Sequence, residues 1–232
     1  MVSAGATARA RARAELTREI KAEARRQLGR SGASELSLRA VARELGMVSS
    51  AVYRYFASRD ELLTALIIDA YDAVGATAES AAGDEGDGVE ARWLRTAGAI
   101  RSWAVEHPHD YALVYGSPVP GYEAPGDTVS AAMRVGVVAL GIVADGVAAG
   151  EIWPGGGPPL PPALQPDLAR LRDEVAPRVT DEVLARALYA WAQLFGMISL
   201  ELFGHFHNVI DDYGAFFDHQ MRRSAQVLVA GP

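Results

Sequence analysis

Residues 36–63 read LSLRAVARELGMVSSAVYRYFASRDELL, and this stretch decides the fold of the N-terminal part of the chain. Apolar residues spaced three and four apart predict a short helix over residues 38–45, which Gly46 ends with a sharp turn. A second short helix is predicted over residues 49–56, and the sequence SRDE at residues 58–61 is a capping box that predicts the start of another. This order is typical of the helix-turn-helix, which places its second helix in the major groove of DNA.

The side chains of this second helix are of the kinds that read or hold DNA. Ser49, Ser50 and Ala51 are small enough to approach base edges, and Arg54 has the planar fork that binds guanine through two hydrogen bonds. Val52 and Phe56 lie one turn apart and are expected to anchor the helix from behind. Phosphate contacts are predicted for Tyr53, Tyr55, Ser37 and Arg59, and Arg39 is predicted as a further DNA-binding residue.

Charge is distributed unevenly along the chain. Residues 1–60 carry twelve basic and six acidic side chains, a balance of +6, while the remaining 172 residues carry a balance of −13. Because DNA is a polyanion, a basic N-terminal end joined to an acidic remainder is the pattern of a DNA-binding head on a body that does not bind DNA.

The composition limits the other possibilities. The 232 residues contain no cysteine, which excludes disulfides, thiolate catalysis and cysteine zinc sites and fits a reducing cytoplasm. The N-terminal residues lack the apolar core of a signal peptide, and the longest apolar run, residues 135–144, is too short to span a bilayer. The sequence therefore predicts a cytoplasmic protein that does not associate with membranes.

The whole chain is predicted to be all-α. Residues 1–13 are expected to form a flexible basic arm, with the first helix over residues 10–29, and residues 14–75 a three-helix DNA-binding domain. Residues 76–232 are expected to form a larger helical domain for ligand binding and dimerisation. Loops are predicted at residues 83–88 and, because of their glycines and prolines, at residues 153–166.

Residues 14–68 resemble the DNA-binding domain of TetR-family transcriptional regulators. The resemblance rests on LRAVARELGMVSSAVYRYFASRDELL, with Tyr53-Arg54-Tyr55-Phe56 at the end of the recognition helix. Two positions depart from the family pattern: Val48 stands where Ser or Thr is usual, so that Ser49 is expected to cap the helix, and Arg59 stands where Lys is usual. The resemblance implies a homodimer, a palindromic double-stranded DNA operator, and repression that a small ligand relieves.

The C-terminal part is similar to a TetR subgroup that has a Trp…Gly helix, here WAQLFG at residues 191–196 and ELFGH at residues 201–205. Dimer interfaces need a large apolar surface. The last two helices are expected to provide it through Leu194, Ile198, Phe203, Phe216, Phe217 and Val227, and Gly196 and Gly204 are expected to allow the helices to approach closely. A mostly apolar effector pocket is predicted from Trp103, Tyr111, Tyr115, Met133, Val137, Trp191, Phe195 and Met197.

The sequence gives little support for a catalytic function. The pairs His107/His109 and His205/His207 are spaced by two residues, so neither pair shares a helix face, and no catalytic or nucleotide-binding motif is present. We therefore predict no enzyme activity, no metal and no cofactor. Three alternatives stay open: an activating or ligand-independent regulator, a ligand-binding or enzymatic helical protein with a vestigial head, and a DNA binder indifferent to sequence.

Overall fold

The structure, a computed structural model, describes residues 4–84, 86–155 and 159–229. Within these ranges the chain forms ten α-helices and no β-strand, which confirms the all-α prediction. The helices are α1 Ala4–Ser31, α2 Leu38–Glu44, α3 Ser49–Val52, α4 Arg59–Ala81, α5 Val89–Glu106, α6 Pro108–Tyr115, α7 Val129–Ala148, α8 Gln165–Val175, α9 Asp181–Leu202 and α10 Tyr213–Val229. Residues 1–3 of the predicted arm, residue 85 of the first predicted loop and residues 156–158 of the second lie outside the described residues.

The helices belong to two compact units, which are described separately. The first comprises the chain up to Ala70 together with His109–Val129, and the second comprises Tyr71–Pro108 and the chain from Ser130 onward. This grouping differs from the sequence-based division at residue 75, because a segment from the middle of the chain packs with the N-terminal helices. Such a return of the chain depends on contacts between residues far apart in sequence, so periodicity does not reveal it.

The first unit has an apolar core formed by α1 to α4. On α1, Ile20, Ala24 and Leu28 are buried at the predicted spacing, and α1 packs against α2. The segment His109–Val129 is held by polar contacts. Arg25 on α1 bonds to Asp69 on α4 and to Asp110 on α6, with distances of 3.1 and 3.2 Å. One arginine therefore joins three helices of this unit.

Helix α1 starts earlier than the sequence predicted. It begins at Ala4 and not at residue 10, so the described part of the predicted flexible arm is helical. Alanine and arginine are among the best helix formers, and no proline interrupts this segment, so the helix continues toward the N-terminus beyond the apolar stripe that defined it in the sequence.

The second unit is built on α5, α9 and α10, which pack together, with α8 against α9. The Trp93 indole donates a 2.8 Å hydrogen bond to the Ser224 hydroxyl inside this core. Arg101 on α5 makes two hydrogen bonds to Glu201 on α9, at 2.7 and 2.8 Å. Its guanidinium also lies 5.3 Å from the centre of the Phe217 ring on α10, so it ties all three helices together.

Helix α7 is attached to the end of α4 within the second unit. Arg134 donates to both carboxylate oxygens of Glu79 and to the carboxylate of Asp72. These hydrogen bonds hold the pKa of Glu79 below its ordinary value. A Cβ added at Gly75 would lie 2.8 Å from the Cβ of Arg134, so the two helices approach closely at the glycine.

Candidate nucleic-acid interface

The predicted turn and helix caps are present in the first unit. The Ser37 hydroxyl accepts a hydrogen bond from the backbone N–H of Ala40, so Ser37 caps α2. Gly46 has φ of 65°, the left-handed conformation that glycine adopts at no steric cost. At the start of α4, Ser58 accepts from the N–H of Glu61, while Glu61 accepts from that of Ala57. The chain therefore turns between α2 and α3 where the sequence predicted.

The recognition helix is shorter than predicted but is anchored as predicted. Regular helix covers only Ser49–Val52, and turns continue it to Tyr55. Val52 and Phe56 are buried. Val48 occupies the N-cap position without a side-chain hydrogen bond, so Ser49 is the first helical residue and does not cap the helix, contrary to expectation. The hydroxyl of Ser49 is thus left for another partner.

The predicted DNA-contacting side chains lie on the outside of this unit. Ser50, Arg39 and Arg54 are exposed, Tyr53 is 43% exposed, and Ser37, Ser49, Ala51 and Tyr55 are half-buried. Arg39 and Arg54 form no ion pair within the part of the chain that the structure describes, whereas Lys21 and Arg25 are neutralised by carboxylates. Uncompensated positive charge therefore lies at Arg39 on α2 and at Arg54 in the turn after α3.

Arg59 has partners other than the phosphate that the sequence predicted. Its guanidinium donates to the backbone carbonyls of Ala33 (2.8 Å) and Ser34 (3.4 Å), and it lies 3.2 Å from the carboxylate of Asp60. Ala33 and Ser34 belong to the short 3₁₀ turn that connects α1 to α2. Arg59 thus links the start of α4 to the segment that leads into the helix-turn-helix, a role that local sequence pattern does not reveal.

We expect Arg59→Ala to destabilise the first unit by about 1–2 kcal/mol, since it removes a part-buried, charge-assisted hydrogen bond to the carbonyl of Ala33 and an exposed one to that of Ser34. Urea denaturation followed by circular dichroism measures this loss. Arg59→Gln, which keeps one N–H donor, should lose less stability. A phosphate contact would give a different pattern: unchanged stability, and a salt dependence of DNA binding reduced by about 0.9 per subunit in both variants.

The residues predicted to line an effector pocket are divided between the units. Tyr111 and Tyr115 belong to the first unit, with ring centres 5.2 Å apart, and the other six belong to the second. Met133 and Val137 lie on the exposed side of α7, Val137 being 53% exposed. Trp103 and Met197 are buried. The Trp191 and Phe195 rings pair at 4.6 Å on α9, and a Cβ on Gly136 of α7 would lie 3.9 Å from Trp191.

The predicted interface residues fall into two groups. Leu194, Ile198 and Phe217 are at most 1% exposed, so they are core residues of the single chain and the prediction that they contact a partner subunit is wrong. Phe203 is exposed, while Phe216 and Val227 are partly exposed. Gly204 has φ of 78° just after α9 and so ends that helix, which is not the role in helix approach that the sequence predicted. The two groups differ in whether the single chain already buries the side chain, and helical periodicity alone does not reveal this.

This geometry defines a class: an all-helical protein with an anchored, outward-facing helix-turn-helix and a larger helical unit. Comparisons with known proteins agree with it. Residues 20–66 match the family model for bacterial regulatory proteins of the tetR family, and residues 93–224 match the tetracyclin repressor-like C-terminal domain. The chain belongs to the TetR family of bacterial transcriptional regulators, and it is a DNA-binding regulator and not an enzyme.

Individual relatives support the same assignment. The chain is 43% identical to the HTH-type transcriptional regulator Rv1816 of Mycobacterium tuberculosis over 223 residues, which cover 94% of each protein. It is similar to the crystal structure of SCO4313, described as a regulatory protein, with a TM-score of 0.75 and 36% identity over 92% of this chain and 97% of that one. A tetR-family protein from Rhodococcus RHA1 shares the fold, with a TM-score of 0.64 and 16% identity over 93% and 98% of the two chains.

Proposed function

We propose that this regulator is a repressor that binds a palindromic operator as a homodimer and is released by a small, largely apolar ligand. The proposal of DNA binding is supported mainly by how the recognition helix packs against the first unit. Val52 and Phe56 are buried behind it, while Ser50, Tyr53 and Arg54 face outward beside uncompensated positive charge. A dimer of such heads places two recognition helices in major grooves about one helical turn, or multiples of one turn, apart.

Within each half-site, some residues are proposed to contact bases and others to contact phosphates, according to their chemistry. Ser49, Ser50 and Ala51 bring the backbone of α3 close to base edges, and Arg54 reads one guanine through O6 and N7. Tyr53, Tyr55, Ser37 and Arg39 hold the flanking phosphates and fix the register of the head. Phosphate contacts bind any sequence equally, so we assign sequence discrimination mainly to Arg54 and the small residues.

The dimer proposal rests on an exposed apolar stripe of α9. Leu188, Ala192 and Gly196 lie on one face of this helix, opposite its buried face, and Phe203 follows at its C-terminal cap. Leu188 and Phe203 are 45% and 47% exposed, and the small residues between them would let a second helix approach closely. On α10, Phe216 and Val227 lie three helical turns apart on one face and remain partly exposed. A second copy of the chain would remove both apolar faces from water.

We expect Ala192→Arg to convert the dimer to a monomer, because it places a long charged side chain at the middle of the α9 stripe. The control is Ala148→Arg, the same substitution at the exposed last residue of α7. Sedimentation equilibrium at micromolar concentration should give one chain mass for Ala192→Arg and two for the control and the wild type. A wild type that is monomeric, or an Ala192→Arg variant that stays dimeric, would contradict this interface.

The ligand proposal rests on the Trp191–Phe195 pair of α9, which α7 approaches at Gly136, and on Met133, three residues before Gly136 on α7. Met133 on α7 is 37% exposed, and the Trp191–Phe195 pair on α9 is only half-buried. Ligand sites are typically apolar and aromatic with few polar groups, so these three side chains favour an apolar or aromatic effector. Such a ligand acts as an inducer only if it binds better to the form that cannot bind DNA.

Among the residues that the structure describes, α7 with the turn before it (Gly126–Ala148) and α9 are long and apolar enough to cross a membrane by length and composition. Exposed apolar faces on the helices of a dimeric, ligand-binding protein give the same pattern, and we propose this explanation in preference to membrane insertion. The protein would then act in the cytoplasm, where its operator lies.

The proposed function is tested by selecting binding sites from a random DNA library with the full-length protein. We expect an inverted repeat to be enriched. Transcription in vitro from a promoter carrying that repeat should fall when the protein is added and recover when an apolar inducer is found. If no sequence is enriched, specific binding is contradicted. If transcription increases, the protein is an activator and not a repressor.

A further inference from the structure

The first three turns of α1 concentrate exposed positive charge. Arg9, Arg11 and Arg13 are exposed, and no acidic residue precedes Glu15. An external polyanion would compensate this charge, and none of the three arginines forms an ion pair within the described residues.

Arg13 attaches this part of α1 to the recognition helix. Its guanidinium lies 4.9 Å from the centre of the Tyr55 ring, and its Nη2 donates to the backbone carbonyl of Arg54 at 3.4 Å. Arg54 and Tyr55 form the turn that follows α3. The N-terminal extension of α1 therefore lies beside the C-terminal end of the recognition helix.

That position is where a phosphate strand is expected. Residues 49–55 span about 10 Å at 1.5 Å per residue, close to the roughly 12 Å width of the major groove. The ends of a recognition helix lying in the groove are therefore close to the two sugar–phosphate strands that border it. Arg9 lies about 6 Å before Arg13 along α1 and on the same face. Arg11 is rotated by about 200° from Arg9 and points away.

We propose that the N-terminal extension of α1 is a second DNA-contacting element, in which Arg9 binds a backbone phosphate flanking the groove and Arg13 holds the extension in register. This inference rests on the proposed entry of α3 into the major groove. It adds a sequence-independent contact outside the helix-turn-helix. The three neighbouring arginines then have different roles: Arg9 binds a phosphate, Arg13 positions the extension, and Arg11 does not contact DNA.

Arg9→Ala and Arg11→Ala in the full-length protein form a matched pair, since each removes one charge from the same helical segment. Fluorescence anisotropy on the selected operator gives the slope of log K against log salt concentration. Each lost phosphate contact reduces that slope by about 0.9, so a dimer of Arg9→Ala should lose about 1.8. Arg11→Ala should keep the wild-type slope. Equal slopes for Arg9→Ala and the wild type, or equal losses for both variants, would overturn the proposal.

Arg13→Ala tests the positioning role. If Arg13 holds the extension in place, Arg9→Ala should have no further effect on the salt slope when Arg13 is already alanine. Independent, additive losses in the double variant would overturn this role. The wild-type titration in the same series distinguishes the proposed helix-turn-helix function from the proposed second contact. Failure of the wild type to bind any operator would contradict the helix-turn-helix function itself. Tight wild-type binding with an unaffected Arg9→Ala variant would contradict only the second contact.

Discussion

Arg54→Ala is expected to abolish discrimination at one base pair of each half-site while leaving binding to random DNA nearly unchanged. Arg54 is exposed in the turn that ends the recognition helix, and it has no carboxylate partner within the described residues. A bidentate contact from arginine to guanine contributes about 1–3 kcal/mol of discrimination against the wrong base. The operator affinity should thus fall by about 5- to 150-fold per half-site.

The measurement is a set of anisotropy titrations on the selected operator and on operators with single base-pair changes. Arg54→Lys is the control, because lysine keeps the positive charge but lacks the planar fork. It should lose discrimination at the same base pair as Arg54→Ala. An equal loss of affinity on every sequence, with discrimination intact, would show that Arg54 contacts only phosphate.

Phe217→Ala is expected to give the largest loss of stability. The side chain is 1% exposed, lies on α10 between the packed helices of the second unit, and has the Arg101 guanidinium against its ring. Replacing a buried phenylalanine by alanine costs about 3–5 kcal/mol, through lost burial and the cavity left behind. Native proteins are only marginally stable, so such a loss removes a large part of the free energy of unfolding.

Chemical denaturation monitored by circular dichroism measures the change in the Ala192→Arg background, where no dimer interface contributes, with Phe216→Ala as the matched control. Phe216 is the preceding residue of the same helix and is only partly buried, so its replacement should cost much less. Equal and small losses for the two variants would contradict the assignment of Phe217 to the core of the single chain. A selective loss at Phe217 would support the packing of α10 described above.

The helix-turn-helix was predictable because its signals are local. Ser37 caps α2 through a hydrogen bond three residues along the chain, Gly46 adopts the backbone conformation that the turn needs, and Ser58 caps α4. Each signal depends on residues within one helical turn of one another, so the sequence contains all the information. The small and basic side chains of the second helix and the basic balance of residues 1–60 already indicated DNA binding, and the family resemblance agreed with this.

What the sequence did not predict depends on distant contacts. Helical periodicity placed Phe217 and Val227 on apolar faces, but it cannot tell a face covered by the same chain from one left for a partner. Arg59 was expected to hold a phosphate because of its place in the motif, and its carbonyl partners lie 25 and 26 residues earlier in the chain. The packing of residues 109–129 with the N-terminal helices is of the same kind.

The central claim is sequence-specific DNA binding, and its most direct test is fluorescence anisotropy of the full-length protein. The two DNAs to compare are the segment upstream of the protein's own gene and a scrambled segment of equal length, at matched salt. We expect tight, competitor-resistant binding to the upstream segment, with a specificity ratio of about 10³ or more. Equal, weak binding to both, together with no sequence enriched from the random library, would contradict it.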